Sequence, residues 1–292
     1  MIQVLILFIM YSLGLRARSS LQSAMNLQKQ ERLLTLTDKQ DMEKIVLGIF
    51  SHPDDAEMVC AGTLSLFKKE GWEVHIATMA PGDKGTAEYN REEISRIRRA
   101  EVARAAEVIG ADYHCLELED VYILYDRDSV NSTTALIRSI RPSVVFTASP
   151  NDYMVDHELT SMIVQTACFA SGIKNMEVDT VPYEPVPYLY YCDPMEGKDI
   201  FGKAVIPSMY VDITDEIDVK EKMLARHESQ RNWLLIHHKM DEYILAMKRF
   251  ARDRGGETGT AYAEGFRQHL GHGFPQDNIL GSILGAKCRL NR

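Results

Sequence analysis

The sequence predicts an α/β protein, a Rossmann-like three-layer α/β/α domain with a mainly parallel sheet. From about residue 43 onward, apolar runs of strand length alternate with segments of helical periodicity. The chain of 292 residues is 45% hydrophobic and 26% charged, which is typical of one large globular α/β domain. Such a chain can bury a sizeable core without disulfides or structural metals.

The first half of this domain reads as four strand–helix units. The sequence KIVLGIF at 44–50 is almost wholly apolar and only strand-length, so it predicts a buried strand. The helices at about 60–70 and 91–109 end near Gly71 and Gly110. The other predicted elements are strands at 73–80, 113–118 and 144–149 and helices at 132–140 and 157–170, the last with Asp156 as its N-cap. This alternation predicts parallel strands joined by helical crossovers.

The second half is less regular. Two short strands are predicted at 188–192 and 210–213, followed by a long helix over about 216–254. Four glycines (Gly255, Gly256, Gly259 and Gly265) then indicate a loop and a short closing segment. No composition change marks a domain boundary, so residues 42–292 are expected to form a single domain.

The N-terminal extension, residues 1–41, admits two interpretations. Residues 1–14 are nearly all apolar, but the run is too short to span a bilayer as a helix and no Lys or Arg precedes it. It is either a leader for export or tethering, or the product of a mis-called start, with Met25 or Met42 as the true first residue. A cytoplasmic location is expected, unless residues 1–14 act as a leader to an exported or lipid-proximal site.

Charge and cysteine usage exclude several classes of function. The net charge of −9 argues against nucleic acid or an anionic membrane as the main partner. The five cysteines are scattered and form no CxxC pair, so neither a disulfide framework nor a thiolate zinc site is expected. The expected partner is a small molecule, no integral membrane span is predicted, and assembly as a homo-oligomer is left open.

Polar residues follow each of the first four predicted strands. The segments are SHPDD at 51–55, PGDKGT at 81–86, Glu119 with Asp120, and PNDYMVDH at 150–157. In an open parallel sheet, ligands bind beyond the carboxyl ends of the strands. If the strands are parallel, all four segments therefore meet at one edge.

The residues at that edge suit a metal ion. His52, His157 and one of Asp54 and Asp55 form a two-histidine, one-carboxylate set, which is typical of catalytic zinc. The second carboxylate could then take a proton from water bound to the metal. Read alone, His52 to Asp55 could be a turn, and His157 could be an ordinary surface or core histidine. His237 and His238 are interpreted as structural.

These residues resemble the PIG-L/LmbE-like family of zinc-dependent N-acetylglucosaminyl deacetylases. HPDDAE at 52–57, followed by AGTL at 61–64, is close to the family pattern HPDDxE…GGTL. Further matches are GDKGT at 82–86, RRAE at 98–101 and DYMVDH at 152–157, with weaker ones at 227–230 and 262–266. The resemblance covers about residues 44–270.

The resemblance implies an activity and a set of roles. A family member removes the acetyl group from an N-acetylglucosaminyl conjugate or a related N-acyl sugar. By position, His52, Asp55 and His157 are the implied ligands of Zn²⁺, with Fe²⁺ as an alternative, and Asp54 is the implied general base. The implied substrate contacts are Arg98, Asp83, Asp152, Tyr153 and His227.

One residue departs from the family pattern. Met154 stands where the family has a histidine thought to stabilise the oxyanion or protonate the leaving amine, and methionine can do neither. Asp152, Tyr153 and His227 are candidates to replace it. Two alternatives therefore stay open: an amidase that cuts another C–N bond, and a carbohydrate-binding protein without turnover.

Overall fold

The structure, a computed structural model, describes residues 42–231 and 242–291 and contains one eight-stranded sheet. Its strands are β1 Ile45–Phe50, β2 Glu73–Thr78, β3 Asp112–Cys115, β4 Val144–Thr147, β5 Tyr188–Cys192, β6 Met209–Asp212, β7 Ala263–Gln268 and β8 Cys288–Leu290. The spatial order is β3-β2-β1-β4-β5-β7-β6-β8. The first five strands in this order are parallel, and the last three pair antiparallel.

Helices lie on both sides of the sheet, so the predicted fold class is confirmed. They are α1 Asp55–Val59, α2 Ala61–Lys69, α3 Arg91–Glu107, α4 Arg127–Ile140, α5 Val155–Ala170, α6 Ile217–Leu224, α7 Glu242–Thr258 and α8 Ile279–Leu284. The described residues from Lys44 onward form a single compact unit. Among the described residues, no helix has both the length and the apolar character needed to cross a membrane. The interpretations of residues 1–41 and of His237 and His238 fall outside the described residues.

The core explains why β1 is so apolar. It lies in the middle of the parallel part of the sheet, paired with β2 on one side and β4 on the other. Leu47 and Ile49 face a cluster of buried side chains that α4 and α5 complete, and Val46 on the opposite face is equally buried. A strand covered on both faces has no solvent side, which accounts for its continuous apolar run.

The sequence-based interpretation was wrong about the glycines near residue 255. Gly255 and Gly256 lie inside α7, and the expected closing segment is the strand β7. A Cβ on Gly255 would lie 2.7 Å from the carbonyl carbon of Ala261, so the backbone after the helix packs directly against it. This glycine serves a close approach of two backbone segments rather than a helix stop.

Other boundaries also differ from those expected. The helix expected at 60–70 is preceded by the separate short helix α1, which begins at Asp55. The expectation of one long helix over 216–254 was wrong: α6 ends at Leu224, residues 225–227 form a turn, and helix resumes at 228–231, while α7 covers the end of the expected range.

A buried carboxylate on β7 ties the start of α2 to the sheet. Glu264 accepts hydrogen bonds from the backbone N–H groups of Gly62 and Thr63, at 3.0 and 2.7 Å, and from the Thr63 hydroxyl at 2.6 Å. It also accepts one from the buried Lys220 ammonium. The Cys60 side chain does not cap α2, so Glu264 satisfies N–H groups of the first turn and complements the helix dipole.

We expect Glu264→Gln to destabilise the protein by about 3–5 kcal/mol, because it leaves the buried Lys220 ammonium without a countercharge. Urea unfolding with linear extrapolation measures the change. The control is Glu177→Gln, which breaks an ion pair with Arg127 whose side chains are both 76% exposed. That change should cost less than about 1 kcal/mol. Equal effects of the two substitutions would contradict the assigned role of Glu264.

Candidate active site

A cavity of about 670 Å³ opens at the carboxyl edge of the parallel strands. All four polar segments that were expected to converge there contribute to its wall. Its lining includes His52, Asp54 and Asp55 after β1, Lys84 and Gly85 after β2, Asp120 and Val121 after β3, and Tyr153, Met154 and His157 after β4. Met58, Arg98, Met195, Gln230, Tyr243 and Ala246 complete it. The parallel pairing brings these segments together.

The two aspartates after Pro53 have different surroundings. Asp54 adopts a left-handed backbone conformation with φ of 95°, which Asp tolerates better than most residues. Its carboxylate accepts a hydrogen bond from the Tyr243 hydroxyl at 2.5 Å. The Asp55 carboxylate instead accepts the backbone N–H of His52 at 2.8 Å. The sharp turn therefore separates the two carboxylates, leaving Asp54 in the cavity wall and Asp55 between the histidines.

His52, Asp55 and His157 come together as a group of potential metal ligands. Their ligand atoms all lie within 4.8 Å of one another. Asp55 is 3.6 Å from Nδ1 of His52 and 3.4 Å from Nε2 of His157. Donors 2.0–2.1 Å from a tetrahedral ion are about 3.3 Å apart, so these distances fit a zinc-sized ion.

The ring nitrogens that face away from this group are held by further carboxylates. Nδ1 of His157 lies 3.0 Å from Asp152, and Nε2 of His52 lies 3.0 Å from Asp120 and 3.1 Å from Asp156. A carboxylate behind an imidazole fixes the tautomer and leaves the opposite nitrogen free to bind a metal. His52, Asp120 and Asp156 also lie close enough together to count as a second ligand group.

These carboxylates change the titration of both histidines. Burial would lower the pKa of His157, but Asp55 and Asp152 outweigh it and raise that pKa to about 10. Burial would also lower the pKa of His52. Hydrogen bonds and charge from three carboxylates outweigh burial and raise this pKa well above its ordinary value: Asp120, Asp156 and Asp55. Both shifts favour the doubly protonated, cationic form of the ring. A cation bound between the two rings would displace one proton from each of them.

The pKa values of the two neighbouring aspartates, Asp54 and Asp55, are shifted in opposite directions. Burial would raise the pKa of Asp55, but the charges and hydrogen bonds of His157 and His52 lower it far below its ordinary value. For Asp54, burial is the largest effect and raises the pKa, with Arg98 opposing it. Asp55 thus has the character of a permanent anion, whereas Asp54 has a greater tendency to accept a proton.

Arg98 supports the turn that presents Asp54. Its guanidinium is buried, donates a hydrogen bond to the Pro53 carbonyl at 2.8 Å and lies 3.6 Å from the Asp54 carboxylate. The loop after β2 passes directly over it. A Cβ on Gly82 would lie 2.5 Å from Nη1 of Arg98, and one on Gly85 would lie 2.8 Å away. These two glycines therefore make room for the arginine.

Three of the residues expected to contact substrate do not belong to the cavity wall. Asp83 is buried and accepts the backbone N–H of Asp120 at 2.9 Å, with Arg91 on its other oxygen. Asp152 is occupied by His157. His227 is fully buried, 3.5 Å from Glu57, and does not line the cavity. It therefore cannot contact a substrate there in place of the missing family histidine. Arg98 and Tyr153 do line the cavity.

Three further residues of the site were not assigned from the sequence. Asp156 was expected to cap α5, but the N-cap is Met154, and Asp156 contacts His52 and the backbone N–H of Val121. Asp120 had been placed at the edge without a role. Tyr243 reaches Asp54 from α7, 189 residues later in the chain. A sequence position gives no signal for a contact of that range.

We expect Gly82→Ala to destabilise the protein by about 1–3 kcal/mol more than Gly71→Ala, because its new Cβ meets the buried Arg98. Both glycines have almost the same φ, 77° and 78°, but a Cβ on Gly71 has nothing within 4 Å. Gly71→Ala therefore reports backbone strain alone, about 1–2 kcal/mol. Urea unfolding of both variants measures the difference. Equal losses of unfolding free energy would mean that Arg98 moves away from the new Cβ without destabilising the protein.

Comparison with known proteins agrees with this geometry. Residues 47–168 match the family model for PIG-L, GlcNAc-PI de-N-acetylase. The diacetylchitobiose deacetylase of Thermococcus kodakarensis is 27% identical over 234 residues, which cover 77% of this chain and 82% of that protein. The 4-oxalmesaconate hydratase of Pseudomonas putida is 23% identical over 189 residues, which cover 61% of this chain and 70% of that protein.

A solved structure supports the same assignment. The N,N'-diacetylchitobiose deacetylase of Pyrococcus horikoshii superposes with a TM-score of 0.67 at 25% identity, covering 81% of this chain and 88% of that one. The fold, the HPDD turn and the matched family model agree with one another: over residues 47–168 this chain is similar to the PIG-L/LmbE family.

Proposed function

We propose that the protein is a metal-dependent hydrolase that removes the acetyl group from an N-acetylglucosaminyl conjugate or a related N-acyl sugar. The observation that carries this proposal is the position of Asp54 beside the His52, Asp55 and His157 group in one cavity. The names of two similar proteins, both diacetylchitobiose deacetylases, support the reaction and the substrate class.

The donor set supports zinc as the metal, and iron(II) suits the same donors. His52, Asp55 and His157 would hold the ion, and Asp152, Asp156 and Asp120 would keep the two imidazoles in the ligating orientation. When bound, such an ion would lower the pKa of a water molecule and act as a Lewis acid that polarises the acyl carbonyl.

Asp54 is the proposed general base. Its carboxylate lines the cavity, and its raised pKa favours acceptance of the proton from the attacking water. Tyr243 and Arg98 hold the carboxylate in place. The proton that Asp54 takes is then available for the departing amine.

Tyr153 is the proposed replacement for the family histidine. Met154 lines the cavity but has no proton to donate, whereas the neighbouring Tyr153 carries a phenolic O–H in the same wall. Its ring lies edge-on to His157, with 5.6 Å between the ring centroids. A hydroxyl at this point could stabilise negative charge that develops on the acyl oxygen.

We expect Asp54→Asn to lower the rate of acetate release by about 10²–10⁴-fold while the protein keeps its metal, because Asn cannot accept the proton. Asn also tolerates the left-handed backbone at this position, so the turn should survive. Acetate release from N-acetylglucosamine conjugates and elemental analysis measure the two properties.

The matched variant for that experiment is His157→Ala, which should lose both metal and turnover. Normal turnover by Asp54→Asn would show that the base is misassigned. Native protein that neither contains zinc or iron nor takes it up on titration would contradict the hydrolase mechanism.

A carbohydrate-binding protein without turnover is the second candidate, because Met154 faces the cavity. We expect the native protein to be active, and Met154→His to change turnover far less than Asp54→Asn does. Acetate release by both proteins tests this, with Met195→His as a control at another cavity-lining methionine. Activity found only in Met154→His would favour the binding protein.

One of the similar proteins is named as a hydratase, and one fold can host several reactions. Turnover of an N-acetylated sugar must therefore be measured directly.

A further inference from the structure

The amino ends of β2 and β3 carry a second cluster of metal-ligating side chains, away from the cavity. We propose that Glu73, His75, Asp112 and His114 form a binding site for a divalent transition-metal ion such as Zn²⁺. This site is independent of the proposed hydrolase function.

The backbone brings the four side chains to one face of the sheet. Glu73 and His75 are two residues apart on β2, and Asp112 and His114 are two residues apart on β3, so each pair points to the same side. The parallel register places His75 opposite Asp112. Two neighbouring strands thus present two imidazoles and two carboxylates from a rigid scaffold.

The distances are those of a compact ligand group. Nε2 of His75 lies 2.9 Å from Glu73, and Nδ1 of His75 lies 3.0 Å from Nε2 of His114. The ligand atoms of Glu73, His75 and Asp112 all fall within 4.8 Å of one another. Ligands of a tetrahedral zinc ion are about 3.3 Å apart, so small adjustments of the side chains would admit an ion. Mixed imidazole and carboxylate donors favour zinc and its neighbours over Mg²⁺ or Ca²⁺.

The arrangement around His75 and its access to solvent also suit metal binding. Nε2 of His75 faces Glu73 and Nδ1 faces His114, so each ring nitrogen of His75 has another potential ligand beside it. His75 itself is buried, but Glu73 and Asp112 are exposed and keep a path open to solvent.

The location separates this cluster from the candidate active site. His75 precedes the carboxyl end of β2 by three residues, which is about 10 Å along a strand. The strand β3 is at the edge of the sheet. An ion bound here would tie that edge strand to its neighbour without touching the residues around His52.

The test is the number of zinc ions bound per chain. The full-length protein and its variants are stripped with a chelator, dialysed against buffered micromolar zinc near neutral pH and measured by elemental analysis. We expect His114→Asn and Asp112→Asn each to bind one ion fewer than the native protein. His272→Asn, a change at an exposed histidine outside the cluster, should bind the native number.

Two further results make the test decisive. Asp112 is exposed, so Asp112→Asn should fold even if a change at the more buried imidazoles does not. His157→Ala should keep the ion in this cluster, so failure of the candidate active site to bind metal would be seen separately. If His114→Asn and Asp112→Asn both bind as many ions as the native protein, the cluster is an internal hydrogen-bond chain and the proposal is wrong.

Discussion

The parallel pairing of β1 with β2 on one side and β4 on the other is the constraint on which the candidate site depends. Parallel strands end at the same edge, so the chain must turn there after each one. The HPDD turn, the glycine loop around Arg98 and the start of α5 therefore meet at one edge, where hydrogen bonds from Arg98 to the Pro53 carbonyl and from Ser51 to the Asp156 carbonyl join them. The cavity is in this sense a consequence of strand direction.

Within the cavity, the main problem is the burial of charge. Five aspartates surround two histidines and Arg98, and each charged group is held by a partner of opposite sign or by a hydrogen bond. Such groups are stable when buried only if they are paired. A divalent cation that displaced the two imidazole protons would leave the total charge unchanged. The surrounding carboxylates could then stay where they are, which is the behaviour expected of a preorganised site.

The sequence predicted the parts of this site that depend on local pattern. The strands around Leu47 and Val145, the turn at Asp54 and the convergence of four polar segments follow from periodicity and strand direction. Periodicity does not encode contacts between distant segments, and the errors arose there. Tyr243 contacts Asp54, which lies 189 residues earlier in the chain. Asp156, which was expected to cap a helix, is instead a hydrogen-bond partner of His52. Gly255 was misread because the backbone that packs against it cannot be seen in sequence.

The hydrogen bonds from α2 to Glu264 join a helix made early in synthesis to a strand made late. The carboxylate and the amide that it binds are 201 residues apart, and Glu264 belongs to β7, near the carboxyl terminus. A contact of that range closes late, because the loop between its partners must first be ordered. On the ribosome, this anchor of α2 cannot form until β7 has emerged, long after the HPDD turn has been synthesised. A chain that stopped before β7 would therefore contain the turn and still lack the carboxylate that holds the start of α2.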